Sequence, residues 1–277
     1  MTEAPLALSL RAEQGPAGDA LARLEAVLHA IGPADIAVSG GVDSLCLAAA
    51  AHRVLGPAAR MHHAVSPAVP PEATARTQTL AAERGWDLKI FDAGEFADER
   101  YRSNPADRCF FCKTSLYGAL AARVTGTILS GTNTDDLSDW RPGLRAAERH
   151  RVRHPFVEAG IDKAAVRRLA AGLGLGDVAD LPASPCLSSR IETGIRVEPE
   201  LLSLVHRAER LVTETLAPRT VRCRVRASGV VIELDADAFS RLPQTGAGLS
   251  ADLAALAGRP VTFEKYRTGS AFLRLPG

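Results

Sequence analysis

The stretch from Asp35 to Val54 constrains this chain more than any other. A short apolar run, Asp35-Ile36-Ala37-Val38, feeds directly into Ser39-Gly40-Gly41-Val42-Asp43-Ser44 and then into the apolar Leu45 to Val54. A run this short, without polar alternation, suits a strand buried on both faces, and the longer run after the glycines suits a helix. The same alternation continues along the chain. Leu21 to Ile31 carries a helical stripe stopped by Gly32-Pro33, and Arg60 to Val65 reads as a second strand followed by a proline-marked loop. Glu72 to Arg84 reads as a helix, Asp87 to Phe91 as a strand, Lys113 to Arg123 as a helix, Thr127 to Leu129 as a strand and Lys163 to Leu173 as a helix. Strands alternating with helices imply parallel βαβ units, so the expected fold class is α/β with a doubly wound parallel sheet.

The pattern changes after Pro199. Leu201 to Leu216 is amphipathic, and Val221 to Arg226 and Val230 to Leu234 flank a Ser228-Gly229 turn in the manner of a hairpin. Leu249 to Leu256 reads as a helix and Pro260 to Phe263 as a last strand. The expected organisation is a flexible extension over 1–18, an α/β domain over 19–197 and a smaller α+β domain over 198–277 that helps bind substrate and assemble subunits.

Charge and cysteine usage narrow the function class. Lys plus Arg total 33 against 32 for Asp plus Glu, so a protein that coats nucleic acid is disfavoured, although a local basic patch is allowed. Five cysteines are an odd number in a chain of 277 residues, too long to need disulfide staples, and they read as thiols or metal ligands. No run approaches the ~18 consecutive apolar residues of a membrane span. The first residues lack a basic leader before an apolar stretch, and the expected compartment is the cytoplasm.

Between a strand and a helix, adjacent glycines let backbone N–H groups close on an anion, with Ser39 and Ser44 adding hydroxyls. Asp43 would repel a phosphate unless Mg2+ bridged the two. Read plainly, the hexapeptide is a tight turn with Ser39 and Asp43 as caps. It fits neither the Walker nor the Rossmann spacing.

The hexapeptide SGGVDS resembles the signature of the PP-loop ATP pyrophosphatases. Four further stretches are similar to the LarE family: Asn104 to Lys113 (NPADRCFFCK), Gly131 to Asp136 (GTNTDD), Trp140 to Leu144 (WRPGL) and Pro185 to Arg190 (PCLSSR). Tyr266 to Ser270 (YRTGS) fits as well. The resemblance runs from about residue 35 to 272. It implies an ATP-dependent sulfur transferase that adenylylates a carboxylate of pyridinium-3,5-biscarboxylic acid mononucleotide, releases pyrophosphate and inserts sulfur. The thiocarboxylate product feeds the nickel-pincer nucleotide cofactor. The family uses two sulfur sources: a single cysteine that gives up its own sulfur, or a 4Fe-4S cluster on three cysteines. Cys186 matches the position common to both.

Cys109 and Cys112 bear on that choice. A lone CxxC is a redox pair, half of a metal site or a coincidence. Placed directly before a helix, it should have lowered thiol pKa values. Structural zinc needs a fourth soft ligand, whereas a cluster with an open iron needs three. Cys109, Cys112 and Cys186 are therefore the expected catalytic and cluster-binding set, with a sacrificial Cys186, zinc or a persulfide relay as alternatives. Cys46 and Cys223 read as core residues.

The remaining expectations follow the substrates. Ser39, Gly40, Gly41, Asp43, Ser44, Gly131, Asn133 and Asp135 should hold ATP and pyrophosphate, with Asp43 on Mg2+; bare, GTNTDD is also an Asx-turn. The mononucleotide's phosphate calls for arginines, and Arg141, Ser189, Arg190, Arg222 and Arg224 are the candidates. Arg222, Arg224 and Arg226 alternate onto one strand face, which a solvated edge would also explain. Glu209 and Glu233 match acidic family positions, and the resemblance implies metal or substrate contacts for them. Trp140 either stacks on a ring or caps the surface, and His62 and His63 read as structural. The chain departs from the family at Ser130, where aspartate is usual, at Ile191-Glu192-Thr193-Gly194, and at Val225 and Arg226, where two histidines often stand. These changes bear on substrate identity more than on ATP use. Sulfide or another sulfur donor and a homo-oligomeric partner are expected. A tRNA-thiolating PP-loop enzyme and a non-catalytic nucleotide-binding module are the rivals.

Overall fold

The computed structural model describes residues 16–137, 142–182 and 185–267. The first helix, α1 (Pro16–Ile31), starts earlier than the stripe from Leu21 suggests, so 16–18 are helical, and 1–15 lie outside the described residues. Helix α1 leads into β1 (Ala34–Ala37), α2 (Val42–Leu55), β2 (Ala59–Val65), α3 (Pro71–Arg84) and β3 (Asp87–Asp92). The short α4 (Glu99–Arg102) and α5 (Arg108–Ala121) come next, then β4 (Thr127–Leu129), α6 (Pro142–Arg149), α7 (Pro155–Glu158) and α8 (Lys163–Gly172).

These four strands form one all-parallel sheet in the order β3-β2-β1-β4. The chain moves outward from β1 through β2 to β3, then returns to place β4 on the other side of β1. The loops after β1 and β4 therefore diverge at the carboxyl edge, the position where open parallel sheets bind ligands. Ala34, Ile36, Ala59 and Met61 are fully buried against Leu24, Leu28 and the alanine-rich inner face of α2. Those small residues allow α2 to lie close to the sheet.

One charged group is buried in this sheet. Asp35 is fully buried and accepts hydrogen bonds from Arg60 Nε and Nη2 at 2.8 and 2.7 Å, while His62 Nε2 lies 2.8 Å away. Burial alone would raise its carboxyl, but these hydrogen bonds and the Arg60 charge bring it below the ordinary aspartate value.

The chain then forms α9 (Pro199–Leu216), β5 (Val221–Arg226), β6 (Gly229–Leu234), α10 (Ala236–Ala257) and β7 (Val261–Lys265). The second sheet has the order β5-β6-β7, antiparallel then parallel. Its apolar face, with Cys223, Val225, Val230 and Ile232, packs on Leu202, Val205 and Val212 of α9 and on Ala238 and Leu253 of α10. The same core also takes in Ala68, Tyr101, Leu187, Ile191 and Val197, from before residue 198. No helix among the described residues is long and apolar enough to cross a membrane.

Candidate functional site

The glycine loop is shaped by steric necessity. Val38 N–H donates to His62 O at 2.9 Å, and His63 Nδ1 lies 2.8 Å from Val38 O, which holds the chain extended as it leaves β1. Gly40 has φ +82, and a Cβ there would stand 2.6 Å from the Ala73 carbonyl oxygen. Only glycine fits both conditions. The residue flanking α2 is Gly41, with no side-chain cap. The plain reading of Ser39 and Asp43 as caps is thus corrected: Ser44 Oγ donates to Gly41 O at 3.1 Å and accepts from Ser39 N at 3.0 Å, which braces the loop on itself. The first N–H groups of α2 keep their donor capacity for an anion.

The loop after β4 stacks on this turn. A Cβ on Gly131 would lie 2.8 Å from the Asp43 carbonyl carbon and 2.9 Å from Ser44 N. Asn133 Nδ2 donates to Asp43 Oδ1 at 3.2 Å, and Asp135 N donates to Asn133 Oδ1 at 3.1 Å. Ser39, Gly40, Gly41, Asp43, Ser44, Gly131, Asn133 and Asp135 are therefore gathered in one place. Two cations join them that sequence reading missed. Lys163 Nζ donates to Asp43 Oδ2 at 2.5 Å, and its backbone N–H donates to Asp135 Oδ2 at 3.3 Å. Arg76 Nη1 donates to Gly40 O at 2.7 Å. Lys163 did carry a signal: it opens α8, a helix position that favours acidic residues over lysine.

The three motif cysteines lie on α5 and on the segment that enters the turn at 187–190. Helix α5 begins at Arg108, so Cys109 and Cys112 lie inside its first turns, not before it, and share one face. Their pKa values also move the opposite way from the expected lowering. Burial raises Cys109 against the opposing charges of Arg108 and Lys113, and burial pushes Cys112 up to about 12, with the Cys186 charge adding. Desolvation of a thiol packed beside Phe96 and Tyr101 outweighs the helix terminus.

Cys186 is exposed, but its loop is tied on every side. Leu187 N donates to Ala68 O at 2.9 Å, and Arg108 Nη1 donates to Ser188 O at 3.0 Å. The Tyr101 and Ser188 hydroxyls share a 2.7 Å hydrogen bond. Arg190 donates to Pro185 O at 2.6 Å, to Cys186 O at 3.2 Å and to Ser189 Oγ at 3.0 Å, and forks onto Glu209 at 2.9 and 3.1 Å. Arg224 donates to Ser189 O at 3.0 Å and to Glu233 at 2.9 Å. Arg190 and Arg224 are buried, and both glutamates serve as their partners. Arg226 completes the Glu233 pairing at 2.7 Å. Arg222 is half-buried, donates to Val221 O and faces the Tyr266 ring at 5.9 Å. Arg141, Trp140 and Thr268 to Ser270 lie outside the described residues.

Cys109, Cys112 and Cys186 come from two segments and sense one another electrostatically, with Lys113 in range of all three. Among the described residues, no three His, Cys, Asp or Glu side chains stand close enough to share a single metal ion. A cubane asks for a different arrangement, because each thiolate binds a different iron. Three cysteines are a soft donor set of the kind that binds iron–sulfur clusters or zinc. Cys46 and Cys223 are fully buried, and Cys46 Sγ donates weakly to Val166 O at 3.6 Å. His63 Nε2 lies 2.9 Å from Thr74 Oγ1, so both its nitrogens are occupied in the frame. The two described surface hollows, about 570 and 320 Å3, are elsewhere: one lies between α9 and α10, the other beside Asp35 and Arg123.

No protein-family model matches the chain. It is 38% identical over 213 residues to an uncharacterized protein of Synechocystis sp., covering 76% of this chain and 79% of that one. It is 30% identical over 218 residues to the pyridinium-3,5-bisthiocarboxylic acid mononucleotide synthase of Lactiplantibacillus plantarum, covering 77% and 78%. An uncharacterized protein of Methanocaldococcus jannaschii is 28% identical over 138 residues, 48% of this chain and 53% of the relative.

Proposed function

Because the chain belongs to the LarE family of pyridinium-3,5-bisthiocarboxylic acid mononucleotide synthases, we propose that it is an ATP-dependent sulfur transferase for a carboxylate of the corresponding biscarboxylic acid mononucleotide. The main support is the meeting of the SGGVDS turn and the Gly131 loop at the carboxyl edge of the parallel sheet, in a chain that also carries the three motif cysteines.

In this reading the α2 amino terminus, Ser39 and Ser44 hold the phosphates of ATP. Asp43 would hold Mg2+, and Lys163, now its partner, neutralises phosphate charge as the ion binds. A substrate carboxylate oxygen attacks the α-phosphorus, the bond to the β-phosphate oxygen breaks, and pyrophosphate leaves. Sulfur then attacks the acyl carbon, the C–O bond to AMP breaks, and a thiocarboxylate remains. Cys109, Cys112 and Cys186 would hold the 4Fe-4S cluster, which supplies an exchangeable iron to carry the incoming sulfur. Arg190, Glu209, Arg224 and Glu233 fix the loop that presents Cys186. Arg222, half-buried beside the Tyr266 ring, would meet the mononucleotide phosphate in this reading. A second reading, in which Cys186 gives up its own sulfur, is favoured by its exposure, since Cys109 and Cys112 are only half-buried and Cys186 alone of the three is open to solvent.

Anaerobic purification with iron and sulfide analysis tests the choice. Iron that is present in wild type and lost in Cys109→Ala supports the cluster. Protein that binds no iron but turns over once, with Cys186 losing its sulfur by mass spectrometry, supports the sacrificial branch. Absence of pyrophosphate release with ATP and the pyridinium substrate would sink both.

A further inference from the structure

Asp35 is a buried carboxylate that the chemistry above does not use, and it lines a hollow. By the strand register, Asp35, Arg60, His62, Lys89 and Phe91 share one face of the parallel sheet, the face opposite to Ile36 and Met61. Helices α5 and α6 cover that face over β4, where Ile128 clusters with Tyr117, Leu120 and Ala147. Beside them is a hollow of about 320 Å3, whose lining includes Asp35, Arg60, Lys89, Phe91, Arg123 and Val124. It lies toward the amino edge of the sheet, since Asp35 and Arg60 are second in their strands and Arg123 precedes β4. The glycine turn is at the other edge.

Packing does not call for a carboxylate at this position. A buried ion pair adds little net stability, and apolar residues of similar shape often serve as well or better. What Asp35 does is fix Arg60. Its two oxygens take Arg60 Nε and Nη2, and His62 Nε2 lies beside Oδ1. Gly126 makes room for the pair: a Cβ there would stand 2.5 Å from Asp35 Oδ2 and 2.9 Å from Arg60 Nη2. That leaves Nη1 for another partner, on a side chain 35% exposed. Arg123 is fixed as well, with Nη1 donating to Ala119 O at 2.6 Å and the guanidinium 5.2 Å from the centre of the Phe91 ring. Lys89 pairs with Asp87 at 2.9 Å, but both side chains are exposed, and such a pair is readily exchanged for a better partner. Three cations thus line a hollow whose one carboxylate is already taken up by Arg60 and His62.

We propose that this hollow is a second anion site, separate from the glycine turn, which takes a small phosphate monoester: Arg60, Lys89 and Arg123 hold the phosphate, and Phe91 and Val124 face its organic part. Guanidinium groups already held by other contacts lose little freedom on meeting a phosphate, and three cations favour a dianion over a monocarboxylate. The volume is at the small end of ligand pockets and more than a bare phosphate fills. The site stands on its own residues and does not depend on how the cysteines or the glycine turn are read.

The test titrates phenyl phosphate and inorganic phosphate into the full-length protein at low salt, by calorimetry. Wild type is compared with Arg123→Gln, with the double variant Lys89→Gln and Arg123→Gln, and with Lys163→Ala at the glycine turn. Lys89 and Arg123 are exposed, so circular dichroism and denaturant unfolding of their variants should match wild type. Arg60 is left in place, because its loss would strand Asp35. Wild type should bind phenyl phosphate at least about tenfold tighter than inorganic phosphate. Arg123→Gln should weaken that binding about tenfold and the double variant about a hundredfold, while binding survives in Lys163→Ala. No binding by wild type, or binding that survives the double variant, overturns the site. Binding lost in Lys163→Ala overturns it too, because the anion then sits in the glycine turn. Equal affinities for the two probes overturn the assignment to a monoester.

Discussion

The two halves of the candidate site are built by opposite means. The nucleotide-type turn is set by close backbone approach: Gly40 lies against Ala73 and Gly131 against Asp43 and Ser44, while its side chains pair mostly with one another. The Cys186 loop is defined by side chains, with Arg108, Arg190 and Arg224 donating into its carbonyls and Glu209 and Glu233 holding two of those arginines. A turn set by backbone approach keeps its helix N–H groups for a ligand, whereas a loop pinned by buried ion pairs has spent its arginines on shape. Substitutions should therefore fail differently: glycine changes on chemistry, arginine changes on stability.

The largest effect is expected at Gly40. Gly40→Ala adds a Cβ 2.6 Å from a backbone oxygen at φ +82; pyrophosphate release should fall at least about a hundredfold, with about 2 kcal/mol of stability lost. Gly194 also has positive φ, +87, but no atom within 4 Å of its would-be Cβ. Gly194→Ala should cost about 1 kcal/mol and leave turnover near wild type. Equal losses of turnover in the two variants would break the claim that close approach, not φ, is what the turn needs.

Arg190 comes next. Arg190→Ala strands Glu209 and releases three contacts to the Cys186 loop, so denaturant unfolding should show about 3–5 kcal/mol of destabilisation. Arg190→Lys cannot reproduce the fork and should recover less than half of that. Arg222→Ala, which breaks no buried carboxylate pair described above, should cost about 1 kcal/mol of stability and act mainly on KM for the mononucleotide. A reversed pattern would return Arg190 to the set of ligand contacts. Lys163→Ala is milder: its pair with Asp43 is nearly a third exposed, so stability should stay within about 1 kcal/mol while KM for ATP rises about tenfold.

The same contrast explains what the sequence revealed. The inner strands of the parallel sheet were legible because they are short apolar runs, with β4 on the expected bounds; β5, in the antiparallel hairpin, also falls on its bounds. The glycine turn was legible because its geometry is local. Helix α10 was legible only over Leu249 to Leu256; packing of Ala238, Leu249 and Leu253 on the second core carries one helix through Pro243 from Ala236. Helix α5 starts at Arg108, earlier than the expected Lys113. The pairing of Arg190 with Glu209 and Arg224 with Glu233 was out of reach, since residues on different elements meet only in the fold. Sequence showed arginines near a cysteine, and those fit a ligand fork and a loop brace equally well.

The smallest effect concerns the seam joining the sheet to the backbone-defined turn. Burial lowers the His63 pKa, against the opposing pull of its bond to Val38 O, so the folded state prefers the neutral ring. The neutral ring serves both contacts, with Nδ1–H donating to Val38 O and Nε2 accepting from Thr74. A depressed histidine pKa contributes stability above the unfolded value near 6.5, and that contribution is lost as pH falls through the folded value. Asp35 is also depressed, but it titrates below the ordinary aspartate range, so its loss begins at a lower pH. Wild type should therefore lose on the order of 1 kcal/mol more than His63→Gln between pH 8 and pH 5.5, measured by denaturant unfolding at the two pH values. Parallel losses would mean that the Val38 carbonyl is held without help from the ring, and that the turn depends on its glycines alone.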